Sequence, residues 1–452
     1  MSKNKKITKN KAKTKKKLII DKQKMFWAIS LAVLAACLLF YGIRLIYYHH
    51  KFNGNADNSN TIYKTVVANN HDDNALTNIG DNYYFVGKDV NNYVEYSNIM
   101  FRIIRLNANG TITLVADHAL SNLSMGENKE FSKSYIYDWL NKKEDTDNTG
   151  ILEQSLNDPS KYLVKSLTCT DKLDSANNKE CQKDEISSYL TLLSVADYIN
   201  TGNIDSFANN GQYFYLSNNT KDNASWYVNS TGKIGTIDGS DIYGVRPVIT
   251  LAKDLELVSG TGTATDPYKI EKNTGKFGSY VKLGNDIWRI YQVEDNNYKL
   301  VLNDYLTVDS QKLESNYSNK TYKYNDTESG SLAHYLNKTY LNSLSYKDLI
   351  IDSKYSNGYY TKEDYRDSFN TMVETKVGLL GVGNIILNNT LDEYYTSTGN
   401  ISEGKMVYVI KNNGHLVTKS IRSTAYVVPC ITIDKNTLTK GEGTITSPYE
   451  TE

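Results

Sequence analysis

Cysteine, histidine and proline are all scarce in this 452-residue chain, which has four, six and five of them respectively. The histidines stand apart: His118, His334 and His415 have no partner at ligand spacing, and His49-His50 directly follow an apolar run. That pattern offers no zinc constellation. Neither G-x-S-x-G nor H-E-x-x-H nor a P-loop occurs, so no familiar hydrolase, metalloprotease or nucleotide-hydrolysing chemistry is signalled. Catalysis, metal and cofactor are therefore not expected. Two of the cysteines, Cys169 and Cys181, flank a polar stretch (CTDKLDSANNKEC). A disulfide closing that loop would contribute about 3 kcal/mol, the alternative being two free thiols. Cys430, in VVPCITI, reads as a buried strand residue.

Charge is distributed unevenly. The first 24 residues carry eleven lysines and the single acid Asp21, a run that stays solvated and disordered. The chain is neutral overall, so the tail's excess of ten positive charges leaves residues 25–452 with ten net negative ones. An acidic remainder argues against a nucleic-acid partner. From Phe26 to Ile43 (FWAISLAVLAACLLFYGI) no charge interrupts, and with Leu45 and Ile46 the stretch is about 30 Å long as a helix. Trp27, Tyr47 and Tyr48 suit an aromatic belt, and the lysines place the N-terminus in the cytoplasm. The expectation is a signal-anchor transmembrane helix over residues 25–48: a single-pass cell-membrane protein with its C-terminal part extracellular. A cleaved signal is one rival. Lipidation of Cys37 within Leu34-Ala35-Ala36-Cys37 is another.

The rest reads as one module written twice. YSNIMFRIIRLNANGTITLVA at 96–116 and LGNDIWRIYQVEDNNYKLVLND at 283–304 each predict a β-hairpin. SYIYDWLN and SLAHYLN then place Ile136, Trp139 and Leu140 against Leu332, Tyr335 and Leu336, the spacing of one helix face. LTLLSVADYI (190–199) and VGLLGVGNII (377–386) predict a second helix or helix start. WYVNSTGKIGT and VYVIKNNGHLVT follow as hairpins turning at Gly232 and Gly414. Proline-bearing strands YGVRPVITL and YVVPCITI come next, and GTGTATDPY and GEGTITSPY close the two copies. The offset between copies drifts from 187 residues (Arg102 against Arg289) to 196 (Ile136 against Leu332) and 181 (Tyr268 against Tyr449), which puts insertions in loops.

These landmarks resemble a bacterial extracellular domain of unknown function with a C-type-lectin-like fold, shared with formylglycine-generating enzymes. The resemblance rests on Phe101-Arg102-Ile103, Trp139-Leu140-Asn141, Leu192-Leu193-Ser194, Tyr215-Leu216-Ser217, Gly232 and Gly244-Val245-Arg246-Pro247. The second copy keeps Trp288-Arg289-Ile290 and Leu336-Asn337 but has Val428 and Gly381 where Arg246 and Ser194 stand. The resemblance implies an α+β fold with two tandem β-rich domains after the anchor, at 80–270 and 278–452. Residues 1–24 form the tail, 49–79 one linker and 271–277 a second. The copper-holding cysteine pair of formylglycine-generating enzymes has no counterpart here, and neither do the E-P-N and W-N-D signatures of calcium-dependent sugar binding.

What remains is tyrosine, at 37 residues. Exposed aromatics supply amphipathic faces for sugars or partner proteins. Trp226, Tyr215 and Tyr243 in the first copy are the candidate ligand-binding residues, with Arg246 and Pro247 structural. The expected function is non-catalytic binding of a glycan, cell-wall polymer or surface protein. A structural envelope spacer and an enzyme with an unrecognisable active site are the alternatives.

Overall fold

The computed structural model describes residues 30–35, 38–39, 61–70, 75–141, 150–177, 179–181, 185–239, 241–272, 277–325, 327–360, 371–388, 390–400, 405–411 and 415–452. The chain divides into two compact units, Met1–Asn58 and Ser59–Glu452. In the first unit, residues 30–35 and 38–39 are helical. A membrane span needs about 20 residues, and among the described residues no helix is long and apolar enough to cross a membrane. The expected transmembrane helix at 25–48, with the single-pass cell-membrane location built on it, is corrected accordingly. An apolar composition alone does not set helix length. Residues 1–24, Cys37 and 49–60 lie outside the described residues.

Strand outweighs helix by 38% to 17%, so the expected α+β balance gives way to a mostly β structure. Within Ser59–Glu452 two lobes repeat one topology. In the first, a wide sheet runs Leu190–Leu192, Pro247–Leu251, Ile112–Ala116, Ile99–Leu106, Tyr93–Tyr96, Tyr268–Lys269. In the second the order is Val377–Leu379, Pro429–Asp434, Asn297–Leu302, Asp286–Val293, Tyr280–Leu283, Tyr449–Glu450. Neighbours are antiparallel except the last pair in each lobe, which is parallel. A bulge interrupts the central hairpin at the same place twice, between Ile103 and Arg105 and between Ile290 and Gln292. Beside Ile99–Leu106 the first lobe adds a hairpin, Leu76–Ile79 with Asn82–Phe85, that has no counterpart among the described residues of the second.

A smaller sheet repeats as faithfully. Its order is Ile234–Ile237, Ser225–Val228, Phe214–Thr220, Tyr243–Val245, Ser121–Leu123 in the first lobe. The second lobe has Leu416–Ser420, Met406–Ile410, Tyr394–Asn400, Thr424–Tyr426, Glu314–Asn316. The core strands are apolar and β-branched and covered on both faces, so Ile112–Ala116 is buried throughout and Asn297–Leu302 at all but its first residue.

The lobes part company at one helix. Val195–Asn200 is an α-helix capped by Ser194, whose Oγ accepts from Asp197 N. In the second lobe the helix expected from VGLLGVGNII is absent: a strand, Val377–Leu379, is followed by turn and irregular backbone. Gly381 stands where the cap would be, and Gly383 has φ +94°. The freed segment docks on the first lobe instead. Ile386 N–H donates to Leu120 O at 2.8 Å, Ser121 Oγ to Asn384 O at 3.1 Å, and Trp139 Nε1 to Gly383 O at 3.1 Å. Beside them the fully buried Tyr360 hydroxyl accepts from Ser124 N at 2.7 Å and donates to Ser124 Oγ at 3.0 Å.

The tail strands depend on glycine. Gly260 (φ +99°) and Gly441 (φ +88°) turn the chain so tightly that a Cβ would collide with the carbonyls of Pro267 and Pro448. Gly441→Ala should lower the unfolding free energy by about 1–3 kcal/mol, read as a lower urea midpoint at unchanged slope. Tyr360→Phe removes both bonds to Ser124 and leaves a buried N–H unpaired. Its expected cost is about 1–3 kcal/mol, and a wild-type midpoint would show that the seam contributes nothing.

Candidate functional site

The smaller sheet of the first lobe places the three aromatic candidates Trp226, Tyr215 and Tyr243, with contrasting outcomes. Trp226 is 7% exposed and Tyr215 fully buried, so neither offers a face to a ligand. Tyr215 points to the same side as Tyr227, its cross-strand partner, but the Tyr243 ring packs 5.5 Å from it. Its hydroxyl donates to Asp241 O at 2.7 Å. Tyr213, Tyr227 and Tyr243 are half-buried. Their centroids lie 6.4 Å (Tyr213–Tyr227), 5.5 Å (Tyr213–Tyr243) and 5.0 Å (Tyr227–Tyr243) apart, a three-ring cluster.

A fourth ring comes from the other lobe. His415 lies 5.5 Å from Tyr213, centroid to centroid. Its Nδ1 is buried without a hydrogen-bond partner, and burial holds the imidazole below its ordinary pKa of 6.5. His415 is thus neutral at pH 7. Burial, with Tyr227 and Asp241 nearby, pushes the Tyr243 phenol up to about 12, so it stays protonated. Ligand spacing along the chain shows no partner for His415 because its partner is a ring in the other copy.

Arg246 and Pro247 are buried. Arg246 donates through Nε to Ala116 O at 3.0 Å and through Nη1 to Ala208 O at 2.5 Å, with its guanidinium 4.6 Å from the Phe214 ring centre. Burial lowers its pKa to about 10, partly offset by Asp117, so it remains charged at neutral pH. Asp117 itself pairs elsewhere, with Arg102 at 3.4 Å and His118 Nδ1 at 2.9 Å. Burial would raise the Asp117 pKa, but the His118 hydrogen bond and the Arg102 and Arg246 charges hold it below the ordinary value. In the second lobe Val428 takes the place of Arg246, and its apolar side chain is buried too.

Cys169 and Cys181 form a disulfide with Cα atoms 5.5 Å apart. Asp171 lies close enough to make a three-residue metal-like group with them, but the two sulfurs are bonded to each other and give up no thiolate. In the acidic Asp238-Gly239-Ser240-Asp241 loop, Asp238 pairs with Lys129 Nζ at 3.1 Å, and Ser240 lies outside the described residues.

A concavity in the second lobe has no counterpart in the sequence reading. The second lobe holds a cleft of about 660 Å3 whose walls include Asp286, Asp304, Tyr305, Tyr335 and Tyr340. The drift from 187 to 196 between the two copies marks the insertion that builds it.

No family model, curated protein or solved structure matches this chain.

The His415 environment fixes a pH dependence. A depressed folded pKa means the stabilising neutral form is fully present above 6.5, and stability is lost as pH falls from there toward the folded value. His415→Gln should make the urea midpoint less sensitive to pH below 6.5 than in wild type. An identical pH profile in both proteins would show that His415 is solvated.

Proposed function

We propose that the Ser59–Glu452 unit is a non-catalytic binding module for an uncharged polymer of the glycan or cell-wall type. The observation that carries this reading is the cluster of Tyr213, Tyr227 and Tyr243 with His415. Phenol rings present an apolar face to the C–H side of a sugar and a hydroxyl to its polar edge. Rings already packed on one another lose little freedom when a ligand arrives, so less of the contact energy goes into ordering them. A protonated Tyr243 and a neutral His415 suit an uncharged ligand. The resemblance to lectin-like domains points the same way, although the ligand face here uses Tyr243 without Trp226 and Tyr215. The disulfide belongs with an oxidising compartment, where such polymers are met.

The full chain should be retained on at least one insoluble polysaccharide or purified cell-wall preparation in a pull-down screen. Tyr243→Ala and Tyr227→Ala, each checked for a native circular-dichroism spectrum, should weaken that retention roughly tenfold or more. Retention unchanged in both folded variants, or none across the screen, would refute the reading.

A further inference from the structure

The second lobe has something the first lacks. Where the first lobe passes from Ile112–Ala116 almost directly into Ser121–Leu123, the second inserts a hairpin, Thr307–Val308 with Gln311–Lys312. Its turn residues Asp309 and Ser310 both have positive φ, 50° and 64°, the left-handed pair that a two-residue hairpin loop demands. Opposite the hairpin the helix beginning at Leu332 widens into π-helix over Tyr335–Tyr340. That widening is rare and recurs at functional sites. Here it lets Tyr335 and Tyr340, five residues apart, line the same cleft.

The lining has one sign of charge. Asp286 and Asp304 are its ionisable carboxylates, and among the described residues no lysine, arginine or histidine belongs to it. Asp286 is held in place by the Tyr346 hydroxyl, and Asp304 accepts from Tyr305 N at 2.7 Å. Tyr340 is 6% exposed and its hydroxyl, close to Asp286 and to the Tyr346 hydroxyl, makes no hydrogen bond of ordinary geometry. A buried hydroxyl in that condition costs stability unless something joins it. At the edge of the cleft the chain already makes the kind of contact the lining favours. The Lys312 ammonium sits 4.2 Å from the Tyr305 ring centre and 5.9 Å from that of Tyr426.

We propose that this cleft binds an organic cation, an ammonium group carried on an apolar body. The carboxylates supply the opposite charge, the tyrosine rings supply negative faces at short range, and the volume is that of an ordinary small-molecule site. The site is separate from the tyrosine cluster of the first lobe and does not depend on it.

The test is calorimetric titration of the full chain with choline chloride and with n-butylamine. The uncharged isostere 3,3-dimethylbutanol, a neutral monosaccharide and calcium chloride serve as comparison arms. At least one amine should bind, and the isostere should bind about tenfold more weakly or not at all, the scale of one partly desolvated cation–π contact. Asp304→Asn, at an exposed position where folding is not at stake, and Tyr335→Ala should each weaken amine binding about tenfold in protein with an unchanged urea midpoint. Four outcomes overturn the proposal: neither amine binds, the isostere binds as well as choline, both variants bind normally, or calcium or the sugar is the ligand lost in Asp304→Asn.

Discussion

The contact on which the aromatic face rests is the seam between the lobes, and the seam exists because a helix fails to form. Residues 380–388 align with a helix in the first lobe, but Gly381 cannot cap it and Gly383 adopts a positive φ. An unformed helix leaves backbone groups that must be paired if they are buried. Here they pair outward, Ile386 with Leu120 and Gly383 with Trp139. The second lobe is thereby held close enough to bring His415 against Tyr213. A local loss of secondary structure thus becomes tertiary connection.

Much of the architecture could be read in advance. The stretches 96–116 and 283–304 fall on the central hairpins, and Tyr268 and Tyr449 on the parallel tail strands, because alternating β-branched residues, turn glycines and Pro-Tyr endings are local signals. Helix content was less legible. LLGVG has the same apolar spacing as LLSVA, and only the glycines distinguish a helix start from an extended run. Among the described residues, the apolar stretch near residue 30 holds no helix of spanning length.

The site was the least legible part. Strand alternation assigns Tyr215 and Tyr227 to one side of the sheet and Trp226 to the other, but a period of two cannot tell which side is covered. In this sheet both are, to different extents: Trp226 faces inward, and Tyr215 lies under Tyr243 on the outer side. Tyr213, Tyr227 and Tyr243 stay half-open at the margin. Burial there depends on neighbours distant in sequence, His415 among them, which no local pattern encodes. The second-lobe cleft was hidden for a related reason. Its walls come from an insertion, and comparing two copies highlights what they share.

The parallel tail strands carry a mechanical consequence. In the second lobe the chain enters through Tyr280–Leu283 and leaves through Tyr449–Glu450, side by side and pointing the same way. The first lobe pairs Tyr93–Tyr96 with Tyr268–Lys269 in the same parallel sense, but there the hairpin of Leu76–Ile79 and Asn82–Phe85 comes first. Tension applied along the polypeptide pulls the two strands of such a pair in opposite directions along their length. Their hydrogen bonds are then loaded in shear and must yield together, whereas an antiparallel pair pulled from one end unzips one bond at a time. The second lobe is therefore closed by a clasp that resists stretching.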